Sequence, residues 1–526
     1  WSSVNSTKIP SGDITTPYAS VTTANALVSK YTPKEWNVAN HAGDLLIPIN
    51  MQSPRTGALI EAAKDDELII GGEGADDHGT VVKVVENVSN PESGMLAQIA
   101  SDFATGYQVG DIKLATLSDT DTTNVTGTNL VTNGDFASNT TGWSSGNVST
   151  LSVSGGQLVI TATGSAYPSA KQVISVVPNQ AYYYSVDIKR GTCNVDVHLE
   201  YNDSVGSGWQ QLASHNSTTL TTFTGTIVPS GGTVDLRITI FTNSATTGHT
   251  AIADNVVLKL AENDRSVNGS GYQGKALGVF GTVTKTAVAT GADLVGYSGW
   301  SSSNYLAQPY NSDLDFGTGD FSYMGWIKWA SGTGYLFDRA DTDGNRRIAV
   351  YPNYSGAVTF YTENGYQTSA ASILSANVWT HLTVVRRSGV IYGYHNGVQI
   401  ITGFSDTGSK TSADDSAVLK AGVRYNNADA LVGSIALLRG SATVPTDEQI
   451  AKIYNDEKHL FQTNAKATLH GTSNAVTALA YDDDTELLHA GTSAGRSVFQ
   501  GLRRVDNTTD AVGAAISASN GLVAED

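Results

Sequence analysis

Cysteine is almost missing from this chain. Cys193 is the one instance in 526 residues, so no disulfide framework can form within it. A secreted animal adhesion protein of this length usually carries several bridges, and the shortage favours a bacterial or viral source. Positive charge is also scarce: 31 Lys and Arg stand against 49 Asp and Glu, a formal net charge of −18. That balance excludes a nucleic-acid groove, which needs clustered cations against phosphate. No apolar run approaches the ~20 residues of a membrane helix, so no membrane insertion is expected, and the opening residues do not read as a signal peptide. The chain starts at Trp1 rather than Met, which suggests a processed or ordered portion of something longer.

Catalytic signatures are missing as well. Cys193 has no partner for a thiol active site. The ten histidines form no H-E-x-x-H pair, and no Walker or Rossmann glycine pattern follows a strand. The reading at this level is that the chain is not an enzyme.

Glycine is plentiful at 54 residues, charged residues make up only 15%, and Ser, Thr and Asn recur throughout. Such a composition suits short strands joined by polar turns, an all-β class. Sequons at Asn139 and Asn216 are expected by chance in so Asn- and Thr-rich a chain.

Four regions separate by pattern. In residues 1–127 short apolar runs alternate with Gly and Asp turns: Leu45 to Ile49, Leu68 to Ile70, Val81 to Val85 and Ile112 to Leu114. They are too short for helices and read as strands; a helix is predicted over 92–103. Residues 463–526 share this texture, and Asp65 to Gly72 parallels Asp484 to Gly491. A repeated strand–Gly turn–strand unit is how propeller blades read, and the two stretches together hold roughly 190 residues, enough for about four blades. The expected architecture is therefore a propeller-like platform interrupted by two inserted β-sandwiches; two unrelated β segments are the alternative.

The first insert, residues 128–262, opens with Asn133-Gly134-Asp135-Phe136 ahead of Trp143 and closes with Ile252-Ala253-Asp254-Asn255-Val256. Between them, Tyr182, Tyr184, Val186 and Ile188 alternate along one strand, Val195, Val197, Leu199 and Tyr201 along another, and Leu236, Ile238 and Ile240 along a third. Each strand thus has one buried face, as in a sandwich. The opposite positions carry Tyr183, His198, Glu200, Arg237 and Phe241, with Trp209 nearby. Rings under a sugar's C–H face and charged groups on its hydroxyls are the chemistry of saccharide binding. A solvated sheet face with one interstrand ion pair reads equally from the same residues. The opening and closing motifs resemble carbohydrate-binding modules of the galactose-binding-like jelly-roll type. That resemblance implies a structural Ca²⁺, with Asp135 and Asp254 as the contributing side chains.

The second insert, residues 263–462, carries Leu314 to Trp329, Trp379 to Val385, Ile391 to Val398 and Leu431 to Leu438. Asn396-Gly397 is a two-residue hairpin signal. Thr446 with Gln449 makes a capping box for a helix from Asp447 to His459, whose Ile450, Ile453, Tyr454 and Leu460 would dock on the sandwich. The order and spacing resemble the laminin-G or concanavalin-A-like jelly roll. Family members usually carry an acid where Ala436 stands. Asp341 to Asn345 reads as a hairpin turn rather than a calcium loop, since the twelfth position is Pro352. Tyr335, Tyr351, Tyr354, Tyr361 and Tyr366, with Trp300 and Tyr305, read as half-buried packing, a sugar site being the alternative.

The order of platform, two jelly rolls and closing platform is similar to that of bacteriophage tail fibres and receptor-binding proteins. The resemblance implies a virion location outside the cell, host surface polysaccharide and other tail proteins as partners, and a homotrimer or higher oligomer for avidity. Two rivals remain open: a polysaccharide depolymerase or an accessory part of one, and a capsid or tail decoration protein whose jelly rolls touch other chains.

Overall fold

The computed structural model describes residues 112–510, apart from 204–207, 267–274, 474–475, 483–484 and 486, together with short strands between 46 and 109 and between 517 and 524. Described regular structure is almost all β.

The first jelly roll is built from two sheets. One has five strands in the order Gln210–His215, Val197–Asn202, Thr233–Ile240, Ser169–Ser175 and Ser144–Gly146. The other contains Ser149–Ser154, Gln157–Ala162, Thr250–Asn263, Tyr182–Arg190 and Thr221–Ile227. The period-two pattern holds on all three strands read from sequence: Tyr184, Val186, Ile188, Leu199, Tyr201, Leu236 and Ile238 are buried in one apolar cluster with Phe136 and Trp143. Alternation placed each inner face against the other, as it must when one side of a pleated strand is apolar.

The strand Thr250–Asn263 is 14 residues long and does double duty. Its first part pairs within the first jelly roll, and its end, Ala261 to Asn263, pairs with Ala276–Phe280 of the second. Through it the sheet runs on across Tyr305–Gln308, Val418–Ala421, Phe337–Ala340 and the strands beyond, twelve strands in all. The facing sheet of the second jelly roll has Phe321–Ser331 at its centre, between Val378–Arg387 and Val432–Ser441. Asn396 and Gly397 adopt φ of 50° and 80°, and His395 pairs directly with Val398, the expected two-residue hairpin. Thr446 and Gln449 form the capping box, and the helix Asp447–Glu457 buries Ile450 and Ile453. Asp341 to Asn345 turns between Phe337–Ala340 and Ile348–Pro352, with Gly344 at φ 83°.

Three expectations need correction. The first concerns the helix predicted over 92–103, where a strand stands instead, Met95–Ile99. It pairs antiparallel with Thr80–Val85, and a neighbouring strand's hydrogen bonds override a modest helix propensity. The second concerns the propeller: no closed propeller or barrel forms among the described residues. The strands from Leu46 to Val109 make one six-stranded sheet, and those from Val476 to Thr508 a separate four-stranded one, each ordered along the chain. The paralleled phrases do both contribute strands, Leu68–Gly71 and Leu487–Thr492.

The third concerns the boundary drawn at 127. Ile112–Thr116 pairs with Val432–Ser441, and Val125–Thr126 with Thr282–Ala287. Leu114 and Leu117 lie in the second jelly roll's core. The second sandwich therefore takes strands from both sides of the first. Asp264 fastens the crossing point by accepting hydrogen bonds from the Ala115 amide at 2.8 Å and the Ser266 amide at 2.9 Å.

Candidate functional site

On the outer face of the five-stranded sheet, Val197–Asn202 and Thr233–Ile240 lie side by side, with Glu200 opposite Arg237 and His198 opposite Thr239. A register shift between Leu199 and Glu200 against the neighbouring strand marks a bulge there, a device that re-aims side chains. Arg237 places both Nε and Nη2 on one Glu200 oxygen, at 2.8 and 2.5 Å. The guanidinium also lies 3.8 Å from the centroid of the Trp209 ring, so it is held between an indole and a carboxylate. On the other side of Glu200, His198 Nδ1 is 3.5 Å from Oε1. The imidazole stacks on Phe241 with centroids 3.9 Å apart and 16° between planes. Phe241 in turn meets Tyr167 at 5.5 Å.

The result is a row running Trp209, Arg237, Glu200, His198, Phe241, Tyr167. Its two acid–base members are buried, His198 and Glu200 at 3% exposure each, while the Phe241 ring is 43% exposed. Phe241 is held there by its amide, which donates to the Asp196 carbonyl, and Tyr167 by its own, which donates to Thr242. Burial would raise the Glu200 carboxyl, yet the adjoining His198 and Arg237 outweigh it and hold the group below its ordinary value. Glu200 is thus a fixed anion whose work is to orient Arg237.

Five of the six sugar-site residues named from sequence come together here. Tyr183 does not. It sits on the strand Tyr182–Arg190 of the other sheet, where its ring packs over Gly278 of the second jelly roll and meets Phe280 at 5.4 Å. Alternation gave its side of the strand but could not say which sheet the strand joins. Tyr167 and Lys171 were missed. Lys171 pairs in register with Arg237, and Tyr167 precedes Pro168 in a loop, where no periodic signal marks it.

Asp135 is exposed in the turn after Gly134, and Asp254 accepts the Asn255 amide at 2.8 Å. The Val256 amide donates to the Gly134 carbonyl at 2.8 Å, so the opening and closing motifs run side by side. Among the described residues no group of three or more His, Cys, Asp or Glu converges as a metal centre. Calcium takes about six to eight oxygens, so two carboxylates here would need backbone carbonyls to complete the shell.

In the second jelly roll, the Tyr335 and Tyr351 rings lie 4.6 Å apart, tilted by 32°, and Arg347 lies 4.7 Å from the Tyr361 ring. Arg347 is paired twice to the buried Asp338, at 2.9 and 2.7 Å. Tyr354 and Tyr366 are exposed at 85% and 64%, beyond the half-buried packing expected of them.

Two family models match. Residues 128–247 match a carbohydrate binding domain, and residues 301–451 match the concanavalin A-like lectin/glucanases superfamily. Each covers under a third of the chain. No curated protein matches. Among solved structures, the chain is similar to one described as "CBM4 structure and function", at 16% identity over 25% of this chain and 99% of that one, TM-score 0.21. It is also similar to domain 4 of AbnA, an extracellular arabinanase from Geobacillus stearothermophilus, in complex with arabinotriose, at 18% identity over 33% and 82%, TM-score 0.26. A third is the tandem CBM22 domain of Paenibacillus barcinonensis Xyn10C, at 14% over 61% and 99%, TM-score 0.25. At these scores none bears on the arrangement of this chain.

Proposed function

We propose that the chain is a glycan-binding adhesin of a bacteriophage tail or fibre that holds host surface polysaccharide without cleaving it. The observation that carries the binding part is the row on the five-stranded sheet: an exposed Phe241 ring and the Trp209–Arg237 pair, both braced from below by buried polar groups. An exposed ring offers a stacking surface for a sugar's C–H face, and a guanidinium with donors to spare serves its hydroxyls. The matched carbohydrate binding domain model supports the same chemistry. The phage tail or fibre assignment rests on the order of the modules and on the near-absence of cysteine. Extracellular placement on the virion, contact with other tail proteins and a homotrimer or higher oligomer belong to this reading, since weak single sites gain by multiplicity. So does a structural calcium at Asp135 and Asp254.

Two points support a non-catalytic role. Glycoside hydrolysis needs one carboxyl that donates a proton and a second ~5–9.5 Å away. Glu200 is held ionised by Arg237 and is the wrong kind of group for the donor. Asp196, four residues before Glu200, accepts a hydrogen bond from Ser214 Oγ at 3.1 Å. Incubating the protein with a bound polysaccharide and assaying reducing ends should show retention without release. Release that disappears in Glu200→Gln or Asp196→Asn would overturn the adhesin reading in favour of a depolymerase.

A further inference from the structure

Tyr183, displaced from the first site, belongs to a second row of its own. Across four neighbouring strands the same sheet face presents Tyr183, Lys259, Phe280 and Tyr305. Tyr183 is in register with Lys259, and Phe280 with Tyr305. Phe280 and Tyr305 stack at 4.6 Å with 6° between planes, and Tyr183 meets Phe280 edge-on at 5.4 Å. All three rings are half-buried. The row crosses the seam between the two jelly rolls, since Tyr183 and Lys259 come from the first and Phe280 and Tyr305 from the second. Gly278 makes the crossing possible: a Cβ there would meet the Tyr183 ring at 2.8 Å.

Lys259 is the unusual member. It is 8% exposed, and its ammonium lies 3.2 Å from the Phe280 centroid and 5.0 Å from that of Tyr183. Among the described residues no carboxylate pairs with it, in a chain that carries 18 more negative charges than positive ones. The buried lysines elsewhere have partners: Lys285 has Asp119, and Lys410 has both Asp406 and Glu363. Burial alone pushes Lys259 down to about 8. A buried cation supported only by ring faces has given up much of its hydration and holds unused donors.

We infer that this seam is a second saccharide site, one that takes a carboxylate-bearing sugar such as a hexuronate unit of an acidic polysaccharide. The sugar carboxylate supplies Lys259 with the counter-ion that the protein itself withholds, beside ring faces that Lys259 and Lys420 already cover. A polymer strand held here and on the five-stranded sheet would touch opposite sides of the first jelly roll, so the two sites serve different chains or different turns of one chain. The inference shares the saccharide-binding reading above but uses none of its residues.

Calorimetric titration of the full chain with a galacturonate trisaccharide and with its neutral galactose counterpart separates the two sites. The acidic sugar should bind about tenfold or more tighter, the size of one charge-assisted contact. Lys259→Met should erase that preference, and Lys259→Arg should restore it, which guards against loss by misfolding. Trp209→Ala should weaken the neutral sugar while leaving the acidic preference in place. Equal affinity of the wild type for both sugars, no binding of the acidic one, or a preference that survives Lys259→Met would each overturn the seam site. Neutral binding untouched by Trp209→Ala would count against the five-stranded sheet instead and leave the seam standing.

Discussion

The two jelly rolls use arginine in opposite ways. In the first, Arg237 is part-buried at 12% exposure between Trp209 and Glu200, in the row that ends at the open Phe241 ring. In the second, Arg339, Arg386 and Arg439 are at most 1% exposed. Arg386 ties two loops together by donating to the carbonyls of Gly317 and Gly319 in one and Gly408 in the other. Arg439 reaches the carboxylate of Glu457 on the helix at 2.7 Å, and the other oxygen of Glu457 accepts the Trp326 indole N–H at 2.6 Å. A guanidinium whose partners all come from its own chain closes a structure. One with donors to spare, in a row that includes an exposed ring, is available to a ligand.

Breaking each kind of arginine site should therefore fail differently. Glu457→Ala strands the buried Arg439 charge and should cost about 3–5 kcal/mol of stability. Urea unfolding would measure it, with sugar affinity of the folded fraction unchanged. Trp209→Ala should do the reverse: roughly 2 kcal/mol of binding lost, as for a truncated hot-spot aromatic, with a melting temperature close to that of the wild type.

Glu200→Gln sits between these cases. It removes a charge-assisted contact of about 1.5–3 kcal/mol, so both affinity and stability should fall, affinity because Arg237 loses its brace. Its pH signature is specific. The folded Glu200 carboxyl titrates below its ordinary 4.5, so its stabilisation is complete above that value and drains away as pH falls through the folded one. Asp264 has the opposite sign: its burial raises it from 3.8 to about 6, and its contribution is greatest below 3.8 and is lost as pH rises toward 6. Glu200→Gln should flatten the acid limb of the stability curve, and Asp264→Asn the limb between about pH 4 and 6.

The smallest expected effect concerns calcium. If the ion sits with Asp135 and Asp254, a chelator should lower the melting temperature of the wild type by a few degrees and leave the Asp135→Ala, Asp254→Ala double variant unmoved, in keeping with about 1 kcal/mol from a weak, partly carbonyl site. Equal melting with and without chelator would remove calcium from the account.

How legible was all this in the chain? Local signals carried through well. Alternation gave the inner faces around Tyr184, Leu199 and Ile238, Asn396-Gly397 gave its hairpin, and Thr446 with Gln449 gave the helix start. Each depends only on residues a few positions apart. What failed depended on partners far along the chain. Nothing near Ile112 says that it pairs with Ser441, so the second sandwich's split origin was hidden. Tyr183 and Phe241 looked alike as outward-facing rings, and only the sheet each strand joins sends one to the seam and the other to the exposed row. The buried Arg439–Glu457 pair was hidden for the same reason. No acid stands at Ala436, and Glu457 from the helix instead binds the indole of Trp326, the residue that Ala436 pairs with.

The central claim is that the Trp209–Phe241 row holds sugar. A glycan array probed with the full chain and with the Trp209→Ala, Phe241→Ala double variant tests it most directly. The account predicts retention of a defined set of glycans by the parent chain and their loss in the double variant at unchanged melting temperature. A parent chain that retains none, or a variant that retains the same set as strongly, would contradict it.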